Sequence, residues 1–440
     1  MALALPRQLG AWSTAAVTVG IMIGSGIFRV PAVAAAATGE PTALLLVWVA
    51  GGLVAMCGAL ALAEVAALYP DAGGMYVYLR EAYGPLTAFL FGWLYLIIMP
   101  TGAGAIALVF AEYLSRLIPL GPGTVRIVAA ALIIVLAAAQ YRSVRFGAAI
   151  QNASTVAKVV AILGMVAAAF VLGAPGGGAW AATTPPAPVS LSGFGLGVVA
   201  ALWAYNGWQD VTCLSGEVRD PGRSLPRAIV GGTLTVVVIY LLVNLAYLRV
   251  LPIEAIARSP LVAADLAVRL VGPAGNAFIA ALVCVSTFGA LNAVIMAIPR
   301  VFWAMAVDGL FFRSVGAVHP RYRTPHVAIL ALSGLAVVYV TLQSFEWLVE
   351  AFVLASLPFW ALSVASVIVL RRRRPDLPRA YRTPGYPVVP LLFVAAMLAL
   401  VGNSFREHPE TTGVSLGAIA AGIPLFYWWR RRGSSANTGG

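Results

Sequence analysis

Gly20-Ile21-Met22-Ile23-Gly24-Ser25-Gly26-Ile27-Phe28 sits halfway along the first apolar run of the chain, with two glycines flanking a serine where a helix should continue. Glycine weakens a helix interior because its backbone has the most freedom to lose. Taken alone, the stretch reads either as a small-residue packing face or as an unwound hinge lining a cavity. The sixth apolar run supplies the comparison, because Trp203-Ala204-Tyr205-Asn206-Gly207-Trp208 places an amide, a glycine and three aromatics at a similar depth. Paired interruptions in corresponding halves of a membrane chain point to a substrate site near the bilayer midplane.

The rest of the chain supports a membrane setting. Its 440 residues are 61% hydrophobic and only 10% charged, with a mean hydropathy of +0.92, which excludes a water-soluble domain and intrinsic disorder. The +12 net charge comes from basic residues lying between apolar runs, so a nucleic-acid-binding domain is also excluded. A hydrocarbon core of ~30 Å needs ~20 apolar residues per helix. Twelve segments meet that measure, near 10–37, 43–69, 85–117, 124–140, 147–172, 193–215, 227–250, 274–305, 326–343, 346–370, 387–402 and 413–429. Turn-rich connectors such as 70–74, 121–123, 174–178 and 220–222 separate them. Unpaired backbone is forbidden in lipid, so the expected class is an all-α polytopic membrane protein with twelve transmembrane helices. The first run lacks a small-residue cleavage site behind a basic region, and it reads as a span rather than a removable signal.

Charge fixes the expected orientation. With both termini cytoplasmic, twenty arginines fall on the inner face, among them Arg7, Arg80, Arg219, Arg300, Arg371 to Arg374 and Arg430 to Arg432, and six on the outer face. That bias is a strong positive-inside signal and suits an even number of spans in a bacterial inner membrane. Arg29 and Lys158 are left within the membrane.

The two breaks also suggest the domain plan. Residues 1–172 hold five spans and 193–370 hold another five, with one break in the first span of each set. An odd number per set inverts the second relative to the first, which gives a 5+5 inverted repeat followed by helices eleven and twelve over 387–429 and a cytoplasmic tail over 430–440. Unwinding a helix mid-membrane frees amide hydrogens after the break and carbonyls before it, and both need partners. A zwitterionic amino acid offers both. Its carboxylate suits the positive helix start at Ser25, Gly26 and Ile27, beside Gly24, and its ammonium suits carbonyls around Met22, Ile23 and Trp203, beside Ala204, Tyr205 and Asn206.

These stretches, together with Gly216-Glu217-Val218-Arg219-Asp220-Pro221, Pro299 to Met305 and the linker Arg374 to Pro387, resemble the amino acid-polyamine-organocation superfamily, and within it bacterial relatives of the L-type amino acid transporters. The resemblance covers nearly the whole chain. It implies a leucine-transporter-type fold, with substrate held between spans one, three, six, eight and ten and a bundle rocking against a scaffold. It also implies that Ser25, Gly26 and Ile27 hold the carboxylate through backbone amides, that Met22, Trp203 and Asn206 offer carbonyls to the amine, and that Trp203 is an aromatic gate. The family usually has phenylalanine at Trp203, so the bulkier gate suggests a smaller side-chain pocket; where the family has aspartate or glycine, Asn206 offers hydrogen bonds without charge.

Lys158 is the single lysine among 28 basic residues, inside the apolar span Ser154 to Ile162. A chain that otherwise uses arginine and keeps one lysine at membrane depth points to a site needing a compact charge. The resemblance places such a lysine where sodium-coupled relatives hold an ion, which implies contacts with carbonyls near Gly20 to Ile23 and sodium-independent transport. The competing reading is snorkelling to the headgroups. By analogy with the same fold, Glu64 and Glu217 are expected to pair with inner-face arginines as a gate, whereas Glu112 reads as a solvated residue near the outer interface. Ser286, Thr287 and Asn292 either line the pocket or bond neighbouring helices.

The expected activity is therefore secondary transport of small or neutral amino acids, by exchange and without sodium. Proton-coupled uptake of amino acids or polyamines is the alternative on the same fold. An enzyme would need paired acids or a metal cluster, and a channel would need repeated filter loops. Neither pattern is present in the sequence, and the histidines His319, His326 and His408 form no metal-ligand pattern. No cofactor is expected. Cys57, Cys213 and Cys284 lie in apolar stretches, and the stretch Ser115 to Thr124 lacks the cysteine through which L-type relatives join a heavy subunit, so no disulfide-linked partner is expected.

Overall fold

The computed structural model describes residues 7–173, 178–179, 189–343, 345–407 and 409–437. Most of the connector at 174–178, His408 and the last three residues of the tail lie outside the described residues.

The helices, in chain order, are α1 (Ala11–Met22), α2 (Gly26–Thr38), α3 (Pro41–Leu68), α4 (Met75–Tyr83), α5 (Pro85–Leu114), α6 (Pro122–Arg142), α7 (Val144–Leu172), α8 (Leu191–Tyr205), α9 (Pro221–Val250), α10 (Ile253–Arg258), α11 (Val262–Val271), α12 (Pro273–Ala297), α13 (Pro299–Val307), α14 (His326–Leu342), α15 (Phe345–Arg373), α16 (Val388–Glu407) and α17 (Pro409–Asn437). A 3-10 helix over Asp210–Glu217 continues the line of α8, and no strand occurs among the described residues apart from an isolated bridge between Leu9 and Val218. Ten helical stretches are long and apolar enough to cross a membrane, counting α1 with α2 and α12 with α13. The remaining two expected segments are the interrupted α8 with its 3-10 continuation, and α14, which has 17 residues.

Local sequence sets where these helices begin. Proline occupies the first turn of α3, α5, α9, α12 and α13, where its missing amide hydrogen is no loss. Glu40 caps α3 by accepting from the amides of Thr42 at 2.8 Å and Ala43 at 2.5 Å. The short helices α4, α10 and α11 fall in stretches read as connectors, because their 6 to 10 residues are too short to register as spans. Helix α17 runs on to Asn437, past the span end expected at 429.

Burial separates the centre from the rim. The most apolar windows of α5 and of α1 with α2 are 83% buried, against 22% for α17. Large apolar side chains such as Val160 and Val171 on α7, Leu234 on α9 and Leu398 on α16 are exposed, as a lipid-facing surface requires. Helix α2 packs on α8, α1 packs on α9 and α7, and α12 packs on α5 and α7, so both interrupted spans lie in the middle of the bundle.

Candidate functional site

Helix α1 stops at Met22, and Ile23 leaves the helical region with φ −79° and ψ 78°. Helix α2 restarts at Gly26 without a side-chain cap. Among the described residues, no backbone carbonyl accepts from the amides of Ser25, Gly26 or Ile27. The second break mirrors the first. Helix α8 stops at Tyr205, Asn206 turns extended at ψ 149°, and Gly207 takes φ 115°. A Cβ at Gly207 would lie 2.5 Å from Ile21 Cγ2, and one at Gly26 would lie 2.5 Å from Ala204 Cα. Each glycine thus lets its own span touch the backbone of the other, and the two breaks cross in contact.

The freed carbonyls of the first break are held by neighbouring spans. Lys158 Nζ on α7 donates to Gly20 O and Ile23 O, both at 2.6 Å, and lies 3.4 Å from Ser286 O. Its side chain is fully buried, which excludes snorkelling to a headgroup layer. Ser286 Oγ on α12 also donates to Ile23 O at 3.1 Å, and Tyr240 Oη on α9 donates to Met22 O at 2.6 Å. A carbonyl stranded in an apolar interior is costly unless paired, so the protein fills these positions itself. The expectation that Ile23 offers its carbonyl to a ligand is corrected accordingly: Lys158 and Ser286 take both of its lone pairs. Met22 O is likewise filled, by Tyr240 and by the Gly24 amide at 2.9 Å.

At the second break, Asn206 N donates to Trp203 O at 3.2 Å, and Gln209, which the sequence reading passed over, stitches the gap. Its Nε2 donates to Asn206 Oδ1 at 2.6 Å and its Oε1 accepts from Gly207 N at 3.3 Å. Trp203 meets Phe352 of α15 edge-on with centroids 5.1 Å apart, and the Phe352 ring lies over Gly102 of α5. Spans one, three, six and ten therefore converge here. Tyr205 is placed elsewhere, since its hydroxyl donates to Trp48 O at 3.0 Å and its ring packs on Trp48 and Tyr240. Its side chain fastens span six to span two. Ala204 serves as the small contact for Gly26. Thr287 bonds its own helix at Val283 O, and Asn292 reaches Gly147 O at 3.0 Å, so neither faces the gap.

Both acids read as gate residues are deep in ion pairs. Glu64 receives Arg371 through two hydrogen bonds of 2.8 and 2.6 Å, lies 3.1 Å from Arg379 Nε, and accepts from the amide and hydroxyl of Thr383. It joins α3 to the end of α15 and the linker that follows. Glu217 accepts from Arg300 Nε at 2.8 Å with both side chains buried, and its carbonyl accepts from the amides of Gln8 and Leu9. On the same face, Arg80 reaches Asp308 at 2.5 Å beside a 450 Å³ cavity lined in part by Arg7, Asp71 and Trp303. At the other end of the bundle, Arg29 pairs with Glu112 at 2.5 Å, which replaces the expected solvated Glu112 with a link between spans one and three. The sequence carried no signal for that pairing, because the partners are 83 residues apart. No His, Cys, Asp and Glu group among the described residues could hold a metal ion.

Comparison with known proteins identifies a family and several relatives. The family described as "Amino acid permease" matches residues 9–429. The chain is 31% identical to the serine/threonine exchanger SteT of Bacillus subtilis over 98% of both chains. It is 32% identical to the human b(0,+)-type amino acid transporter 1 over 90% of this chain and 82% of that one. The human large neutral amino acids transporter small subunit 2 is 29% identical over 98% of this chain and 82% of its own length.

Proposed function

The chain belongs to the amino acid permease family, a group of multi-pass membrane transporters rather than enzymes, and on that premise we propose that it exchanges small neutral amino acids across the membrane without sodium. The observation that carries this reading is the Lys158 ammonium lying 2.6 Å from the Gly20 and Ile23 carbonyls. A fixed cation already supplies the positive charge that unwound carbonyls attract, and it occupies the room a sodium ion would need.

The substrate zwitterion is held by the peptide groups of the two breaks. Its carboxylate takes the free amides of Ser25, Gly26 and Ile27 at the start of α2, where the helix dipole is positive. Its ammonium takes carbonyls at Trp203 and Asn206, because Met22 O is already filled by Tyr240 and the Gly24 amide. Trp203 and Phe352 cover the site from one side, and their bulk favours short side chains. The name of the Bacillus subtilis relative, a serine/threonine exchanger, fits that size.

Alternating access follows from which contacts bridge moving parts. The two five-span sets form an inverted repeat, with α16 and α17 appended, and the broken spans rock against their surroundings. Closing one face uses the Glu217 and Arg300 pair with the Gln8 and Leu9 strap, and closing the other uses Arg29 and Glu112. The arginine-rich face is cytoplasmic by the positive-inside rule, which puts both termini inside. The loop 115–124 contains no cysteine, so the chain works without a disulfide-linked subunit.

The test is uptake of labelled serine, alanine and leucine into proteoliposomes, with and without sodium, a pH gradient and internal amino acid. Uptake that needs internal amino acid and ignores sodium supports the reading. Sodium-dependent uptake overturns it.

A further inference from the structure

Helices α6 and α14 enclose a 620 Å³ cavity between them, away from the two breaks. Its rim is exposed at Ile134 and Ala138 on one helix and at Leu330 and Gly334 on the other. A Cβ added at Gly334 would meet nothing within 4 Å, so the protein does not fill this space itself. Ser333 also lines the cavity; it is 5% exposed, and its hydroxyl has no hydrogen-bond partner. A hydroxyl inside a helix often bonds the carbonyl one turn back, as Thr287 and Ser356 do. Ser333 does not, and its donor is left for whatever occupies the cavity.

The cavity changes character along its length. At its mouth, on the arginine-rich face, lie Tyr141, Arg142 and Tyr322. The loop before α14 is fastened there, because Thr324 Oγ1 donates to Tyr141 O at 2.7 Å and the Tyr141 and Tyr322 rings stand 5.8 Å apart. The Arg321 guanidinium lies over the Tyr322 ring at 5.7 Å, beside the same mouth. From Arg142 the cavity runs back along α6 to Ile134, ~12 Å at 1.5 Å per residue, and its lining there is apolar apart from Ser333. Arg142, Arg321 and Arg323 are exposed, and among the described residues none of them pairs with a carboxylate. The stretches that carry them, 113–209 and 309–345, contain no aspartate or glutamate.

We propose that this groove holds one anionic phospholipid, with its phosphate at Arg142 and Arg321, an ester carbonyl on the Ser333 hydroxyl and an acyl chain along Ile134, Leu330 and Gly334. The proposal does not depend on what the chain transports. The space equals the liquid share of about twenty waters, yet a water needs two to four polar partners and the deep part offers one hydroxyl. Hydrocarbon fills it without stranding a polar group. Arginines without counter-charge at the inner boundary of a span attract anionic headgroups, and basic pockets between spans bind them. Ser333 lies ~10 Å along α14 from His326, whose ring packs on Tyr141, and so stands between the charged mouth and the apolar end. A glycerolipid presents phosphate, ester and chain in that order. A neutral lipid or an apolar helix would fill the deep part and leave the arginines unopposed.

The experiment measures retention of dioleoyl phosphatidylglycerol by the delipidated full chain in neutral detergent, using native mass spectrometry. Dioleoyl phosphatidylcholine and glycerol 3-phosphate are the comparisons, and thermal unfolding is followed with each. The wild type is expected to keep phosphatidylglycerol in preference and to melt higher with it. Arg142→Gln and Arg321→Gln are each expected to weaken retention about fivefold, the usual effect of one basic side chain near an anionic surface. Gly334→Leu projects into open space, so it is expected to keep the lipid-free melting point and to lose the retained lipid. Where an arginine variant does not fold, the wild-type lipid comparison and Gly334→Leu still decide. Equal retention of the two lipids, full stabilisation by glycerol 3-phosphate alone, or unchanged retention in Gly334→Leu overturns the proposal. So does a lipid-free dimer that Gly334→Leu disperses, which would give the groove to a second copy of the chain.

Discussion

Lys158 Nζ lies 2.6 Å from both Gly20 O and Ile23 O, so one side chain of α7 joins the last turn of α1 to the first residue of the break. Lys158→Ala leaves the Gly20 carbonyl without that donor, while Ile23 keeps Ser286. An unsatisfied buried acceptor costs about 1–3 kcal/mol, which a bundle of this size can absorb. The variant is therefore expected to fold, with a lowered unfolding midpoint, and to exchange amino acids at least about tenfold more slowly because the break loses its shape. Lys158→Arg is expected to fail as well, since the compact ammonium meets the Gly20, Ile23 and Ser286 carbonyls at one point and a longer planar guanidinium cannot reproduce that geometry. Exchange rates per folded protein in liposomes decide the matter, and wild-type flux through Lys158→Ala would sink the assignment.

Glycine at position 26 answers to a different constraint. A Cβ there falls 2.5 Å from Ala204 Cα and 2.8 Å from Ala204 Cβ, and a backbone atom cannot move aside as a flexible side-chain tip can. Gly26→Ala is expected to push α2 and α8 apart, lower the unfolding midpoint and abolish stabilisation by substrate. Gly164 on α7 is the control, because an added Cβ meets nothing within 4 Å. There the same change should be neutral or stabilise by ~0.5–1 kcal/mol through helix propensity. Thermal melts with and without amino acid separate the two, and equal melts for both variants would remove the packing argument.

Much of this arrangement was legible in the chain because its signals are local. Apolar length gives the spans, glycine beside a polar residue gives the breaks, and a lone lysine in an apolar run draws attention to itself. What the sequence could not show depends on which spans touch. Tyr240 and Ser286 hold the Met22 and Ile23 carbonyls from α9 and α12, yet a tyrosine or serine in an apolar helix has no local mark of that duty. Tyr205 sits within the second break but turns its ring toward Trp48, a choice set by packing across α3.

The Arg29 and Glu112 pair stands at the end of the bundle opposite the arginine-rich face and keeps partial solvent contact, at 18% and 33% exposure. Pairs of that kind contribute ~0–1 kcal/mol and are screened by salt. Glu112→Gln is therefore expected to shift the unfolding midpoint by less than the Lys158 and Gly26 changes. Its effect should appear in transport instead, as a lower apparent KM for substrate on the outer side, because one link holding spans one and three together is weakened. The wild-type KM should fall toward the variant's value as salt is raised. A KM insensitive to both the substitution and salt would show that the pair does not restrain opening.

Glu217 and Arg300 differ in being fully buried, at 1% and 0% side-chain exposure, with Arg300 Nη1 also on Met296 O. Removing one partner of such a pair leaves an uncompensated charge and costs about 3–5 kcal/mol, whereas replacing both with apolar groups can be near neutral. Glu217→Ala and Arg300→Met are each expected to be strongly destabilising, and the double variant to recover most of the loss. The double variant should still exchange more slowly, because Glu217 also marks where the Gln8 and Leu9 amides grip its carbonyl, and a looser end of span six weakens closure of that face. A double-mutant cycle on unfolding midpoints, read beside exchange rates, separates stability from gating. Additive losses in the cycle would mean that the two charges do not compensate each other, and a double variant with wild-type exchange would remove the pair from the gate.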